Sequence, residues 1–325
     1  MISPYLSRKI RLMSLFSIVM IVVLHSNIID YSNSYSLYFQ KFMTQEITRV
    51  AVPFFFLISG FLFFRNVSTP WYSFFFEKIN KRIWSLMVPY IILSTLGGII
   101  WALAKDTGVL KTVLDSILIS TKVFYQLWFL HDLIILVFLS PFIFIIIYKI
   151  PWLWLIPFYY WSMGYYNEFL NFESLFWWGL GGIMSIHFSY KTEVVFKRKE
   201  LMGICGIGWI MFSVLHFYIK SIYLLHAFGI ILGILFMWFG YDNASKHISN
   251  WVYNVAPYSF FIFIFHEPIL TGVKYSFLVL FPINQNSSLM IYLLSPIITI
   301  FICIFIAKWW VKFSPNTYCI ITGGR

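Results

Sequence analysis

From Leu133 to Tyr148 the chain reads LIILVFLSPFIFIIIY, with no charged side chain and no glycine. A run like this constrains the fold more than any motif does. Hydrocarbon offers the backbone no hydrogen-bond partner, so about 20 consecutive apolar residues in a bilayer must close their bonds within the segment, as a helix. Comparable runs recur near 11–29, 47–64, 83–104, 125–147, 150–164, 173–188, 201–219, 221–240, 256–279 and 289–312. They predict an all-α polytopic bundle of about ten transmembrane helices. Only Lys149, Ile150 and Pro151 separate the fourth run from the fifth. Ser140-Pro141 should kink the fourth helix without ending it, because neighbouring helices can satisfy the carbonyl that proline frees. The segment SRKIRLMSLFSIVMIVVL (7–24) resembles a signal peptide but precedes no small-residue cleavage site, so it reads as a retained first helix.

Composition agrees. Of 325 residues, 60% are hydrophobic and only 11% charged, against about 25% charged in soluble domains. The length suits one membrane-embedded domain over 1–325. A net charge of +11 would suit a nucleic-acid binder, but the basic residues sit mainly in alternate loops, which argues for no nucleic acid. Arg8, Lys9, Arg11, Arg65, Lys78, Lys81, Arg82, Lys149, Lys191, Lys197, Arg198, Lys199, Lys246, Lys308, Lys312 and Arg325 fall on one side. Lys41, Arg49, Lys105, Lys111, Lys122 and Lys220 fall on the other. By the positive-inside rule both termini are cytoplasmic. Cys205, Cys303 and Cys319 show neither pairing nor metal spacing and read as packing residues.

The polar residues inside the runs need an explanation. His25 lies near the outer end of the first helix and Arg49 starts the second. His131 and Asp132 lie in the fourth, and His266 and Glu267 in the ninth, with Lys274 further out. An ionisable residue inside a span costs about 2.5–3.5 kcal/mol and usually faces a cavity or a partner. Each also has a plain reading: His25 as an interfacial ring, Arg49 as a snorkelling cation, His131-Asp132 as a helix–helix bond, His266-Glu267 as an internal bridge. Several at one depth suggest a shared outward chamber. Metal chemistry is a poor fit, since no helix carries histidines at i, i+4, and there is no nucleophile elbow or phosphate loop. The glycines of GLGGI (179–183) read as helix-packing residues.

Five segments, taken together, resemble the acyltransferase-3 family of integral membrane proteins. They are IVVLHS (21–26), RVAVPFFFLISGFLFF (49–64), KINKRIWSLMVPYI (78–91), QLWFLHDLIIL (126–136) and YSFFIFIFHEPIL (258–270). The resemblance implies transfer of an acyl group, commonly acetyl, from cytoplasmic acyl-CoA to a sugar hydroxyl of a surface or exported glycan. The acceptor would be a glycan or lipid-linked sugar, the lipid partner a bacterial cytoplasmic membrane, and no metal would be needed. His25 matches the family's helix-1 histidine, which makes it the expected general base. Arg49 or His131 would stabilise the oxyanion, and Arg11, Lys78, Lys81 and Arg82 would hold the phosphates of CoA. Two positions depart from the pattern: Ser14 and Ser85 stand where the family commonly has arginines. A transporter or polysaccharide flippase, or a non-catalytic export partner, would also use intramembrane charges.

Overall fold

The computed structural model describes residues 2–28, 34–67, 70–118, 123–165, 170–188 and 198–324, apart from the side chain of Lys246. Lys122, Lys191, Lys197 and Arg325, counted in the charge asymmetry, lie outside the described residues. Among those described, every regular element is helical. In chain order they are α1 (Pro4–His25), α2 (Tyr35–Gln45), α3 (Ala51–Phe63), α4 (Trp71–Arg82) and α5 (Val88–Lys105). Next come α6 (Val109–Leu118), α7 (Trp128–Lys149), α8 (Leu155–Ser162), α9 (Phe172–His187) and α10 (Lys199–Tyr218). The last are α11 (Tyr223–Ala244), α12 (Asn250–Val255), α13 (Ser259–Leu280), α14 (Gln285–Phe313) and α15 (Pro315–Thr322).

Among the described residues, seven helical stretches are long and apolar enough to cross a membrane: Tyr35–Phe63, Trp71–Lys105, Tyr125–Lys149, Lys199–Tyr218, Tyr223–Ala244, Asn250–Leu280 and Gln285–Phe313. The other three runs differ for visible reasons. α1 carries Arg8, Lys9 and Arg11 within its own length, α9 has 16 residues, and α8 has eight after a 3-10 turn at Pro151–Trp154. Stretches that hydropathy leaves as connections are themselves partly helical: α2, α4 and α6 lie within 30–46, 65–82 and 105–124. Such short amphipathic helices escape a test tuned to membrane-length apolar runs.

The molecule is apolar outside and partly polar within. Phe76, Leu103, Leu110, Ile207 and Phe305 are exposed, while Gln40, Glu46, Asp132, Asp242, His266 and Thr299 are buried. That inversion is what a lipid solvent selects, because tails gain nothing from hiding leucine. This is a membrane protein. α1 is its axis, packed against α2, α3, α11, α12, α13 and α14. α3 and α9 approach backbone to backbone. A Cβ on Gly60 would meet the Trp178 carbonyl, and one on Gly181 would meet the Leu57 carbonyl, so the GLGGI glycines are packing residues as expected.

Three prolines show how the backbone is kept satisfied. Pro141 leaves the Val137 carbonyl without its helical donor, and the Ser140 hydroxyl donates to that oxygen at 2.6 Å. α7 therefore continues through the proline, served by its own chain and not by a neighbouring helix. Pro89 cannot donate to Ser85, and the chain between α4 and α5 widens into a π-helical turn at Ile83–Met87. Pro268 frees the Ile264 carbonyl in α13, which accepts from the Gln126 amide at 2.7 Å.

Candidate active site

His25 is the last residue of α1, and its position is held from three sides. The Lys274 ammonium of α13 donates to the His25 carbonyl at 3.0 Å and to the Asn27 carbonyl at 3.5 Å. A cation on the last carbonyls of a helix complements its dipole. Ser26 turns its hydroxyl back to the Val23 carbonyl. Beyond it, the Ile28 N–H donates to Gln40, which also bonds Ser36 and Ser288. The imidazole is half-buried, stacked on His266 with centroids 5.4 Å apart and hydrogen-bonded through Nδ1 to the Tyr125 hydroxyl.

Glu267 lies beside the Tyr125 hydroxyl. In the tautomer whose Nδ1–H donates to the phenolic oxygen, Nε2 of His25 is the basic nitrogen. On His266, Nδ1–H donates to the Phe263 and Ile262 carbonyls at 2.7 and 3.1 Å, and Nε2 is buried without a partner. Two stacked imidazoles thus each present an unprotonated Nε2 inside the bundle. The bond from Gln126 to Ile264 matters here, because it ties the 3-10 turn Tyr125–Leu127 to the helix that carries His266 and Glu267.

A cavity of about 300 Å³ runs along α1 from the opposite end of the bundle. Ser14, Ser59, Arg82 and Ser259 supply its polar lining, with Ile18, Phe55, Phe129 and Phe263 among the apolar walls. Ser14, Ile18 and His25 recur at i, i+4 and i+11, one stripe of the helix. Ser14 and His25 are about 16 Å apart along the axis. Phe263 closes the inner part of the cavity and packs its ring 6.4 Å from that of His266.

The remaining sequence-expected residues are distributed around this frame. Arg49 is exposed in the 3-10 turn Ile47–Val50 that leads into α3, its Nε donating to the Thr44 carbonyl at 3.1 Å. His131 packs against Tyr90 of α5, while Asp132 accepts from Ser174 of α9 at 2.6 Å. The Asp132 pair is a helix–helix bond, one of the readings the sequence left open. Of the expected donor-site cations, Arg82 lines the cavity. Lys81 pairs with Glu77 at 2.5 Å on the exposed face of α4, Lys78 lies over the Phe74 ring, and Arg11 is exposed on α1. Ser14 faces Arg82 across the cavity, and the Ser85 carbonyl is covered by Gly323, whose φ of +66° suits glycine.

Sequence reasoning missed Tyr125 as a functional residue, since one tyrosine among 21 reads as interfacial. It also gave Lys9 to a loop. Lys9 is in fact 1% exposed, paired with Asp242 of α11 at 2.7 Å and set 3.7 Å over the Trp238 ring, with Tyr5 donating to the same carboxylate at 2.6 Å. Asp242, two positions past the apolar run at 221–240, was the available signal.

Chemically, the site offers bare imidazole nitrogens to accept a proton and nearby cations to steady developing negative charge. Comparison with curated proteins and with solved structures returned no match. The model of the acyltransferase-3 domain, described as "Acyltransferase domain", matches residues 9–308. That span holds the His25 stripe, Arg82, Tyr125 and the His266 helix, and covers more than nine-tenths of the sequence: the chain belongs to the acyltransferase-3 family.

Proposed function

We propose that this membrane acyltransferase moves an acyl group, acetyl in the simplest case, from acyl-CoA to a hydroxyl of a surface or exported glycan. The observation that carries the reading is the cavity from Arg82 and Ser14 to Phe263, beneath the stacked His25 and His266. A polyanionic donor needs a cation at its entrance, a narrow path for the pantetheine arm and a base at its end. The Arg82 end would face the cytoplasm, in accord with the loop charges, and the His25 end would receive the acceptor across a bacterial cytoplasmic membrane.

In the reaction the acceptor hydroxyl gives its proton to His25 Nε2 as its oxygen attacks the thioester carbonyl. The tetrahedral oxyanion is stabilised by the positive charge of Arg49 and Lys274. Collapse breaks the C–S bond, and His25 passes the proton to the departing CoA sulfur, which restores the neutral ring. Tyr125 keeps that ring in the tautomer that can accept. The test is purified protein in nanodiscs with radiolabelled acetyl-CoA and a glycan or lipid-linked sugar. Acceptor-dependent CoA release with label on the sugar supports the reading. Glycan movement across the membrane without CoA binding would replace it with the transporter reading.

A further inference from the structure

A second cluster of chemistry-bearing side chains lies apart from His25. Glu46 follows the last residue of α2, His216 sits in the last turn of α10, and His226 sits in the first turn of α11. His216 Nδ1 is 2.9 Å from both Glu46 carboxylate oxygens, and His226 Nδ1 is 3.5 Å from Oε2. One ligand atom from each residue falls within 4.8 Å of the other two.

An ion pair explains only part of this. A single carboxylate faces two imidazoles whose centroids are 4.8 Å apart, and the second ring, at 3.5 Å, lies beyond ordinary hydrogen-bond distance. His216 is 8% exposed, and its Nε2 is buried without a hydrogen-bond partner, so the ring is held through one nitrogen alone. A metal ion accounts for the convergence. Zinc bonds to imidazole nitrogen and carboxylate oxygen at about 2.0–2.2 Å, which sets neighbouring tetrahedral ligands roughly 3.3–3.5 Å apart. The observed separations of 2.9 and 3.5 Å bracket that spacing.

We propose that Glu46, His216 and His226 form a binding site for a divalent transition-metal ion of the zinc type. Two nitrogens and one carboxylate are the donors that suit zinc, and three protein ligands leave a fourth position open. The His226 side chain is 20% exposed. The ion would join α2 to the α10–α11 hairpin.

The experiment uses the full chain purified in detergent with a tag free of histidine. Metal is removed with a chelator, and zinc is titrated back in competition with a chromophoric indicator. Cobalt(II) uptake is followed by its ligand-field absorption. The expected result is one zinc per chain, with His226→Asn and Glu46→Gln each weakening binding by at least about tenfold and losing the cobalt spectrum. His226→Asn guards against misfolding, since this half-exposed ring is the easiest to replace. Its monodispersity and unfolding temperature without metal are measured alongside. No zinc uptake by the wild-type chain, or equal uptake by the wild type and a folded His226→Asn variant, overturns the proposal.

Discussion

His25 and Lys9 show how the same helix turns a costly polar residue to two different ends. His25 binds the Tyr125 hydroxyl through Nδ1, which leaves Nε2 for a substrate. His25→Asn should therefore lower acyl transfer by about 10²–10⁴-fold while membrane insertion is unchanged, as measured by CoA release from purified variant and wild type. The wild-type rate should also fall in acid, since a protonated ring accepts nothing. Lys9 instead has every direction filled, by Asp242 and by the face of Trp238. Lys9→Ala removes the counter-charge of Asp242, a loss of about 3–5 kcal/mol for a buried pair, whereas Lys81→Ala on the exposed face of α4 should change stability by about 0–1 kcal/mol. Thermal unfolding in detergent separates the two. His25 was legible in the sequence because its motif is local and its surroundings are apolar. Tyr125 was not, because its role depends on Glu267, 142 positions away, and on the Ile264 carbonyl that Pro268 exposes to Gln126. The cluster of Glu46, His216 and His226 was hidden for the same reason, as no two of them share a helix.

Among the elements, the long apolar runs were legible because burial in lipid imposes a length. The short helices were not, since α2, α4 and α6 owe their form to amphipathic surfaces and caps. The Ser34 hydroxyl, for example, accepts from the Leu37 N–H at the start of α2. α3 and α9 show the converse: the glycines announced close packing, but only the fold says that Gly60 meets α9 and Gly181 meets α3. Gly60→Ala must drive the two backbones apart. The expected loss is about 1–3 kcal/mol, the usual effect of overpacking, read as a lower unfolding temperature. A companion change at Gly272, where a Cβ meets nothing within 4 Å, should leave that temperature nearly unchanged.

For the whole molecule, Arg82 and Ser14 line one cavity beside α1, and His25 lies about 16 Å further along that helix. Arg82→Ala should weaken CoA binding by about 10–150-fold, the worth of a charged hydrogen bond of about 1.5–3 kcal/mol. Lys81→Ala should do far less, because its amine already faces Glu77. Calorimetric titration with CoA checks both. α1 joins the two, and it is tethered at each end: by Lys9 to Asp242 of α11, and by the carbonyls of His25 and Asn27 to Lys274 of α13. A helix pinned twice is a poor carrier of an acyl group between membrane faces, so the proposed donor and acceptor should meet at a stationary imidazole. The kinetic order follows. Initial rates measured against both substrates should give intersecting reciprocal lines, the signature of a ternary complex. Parallel lines, with exchange of label between CoA and acetyl-CoA in the absence of acceptor, would mean that the acyl group rests on the protein between two half-reactions.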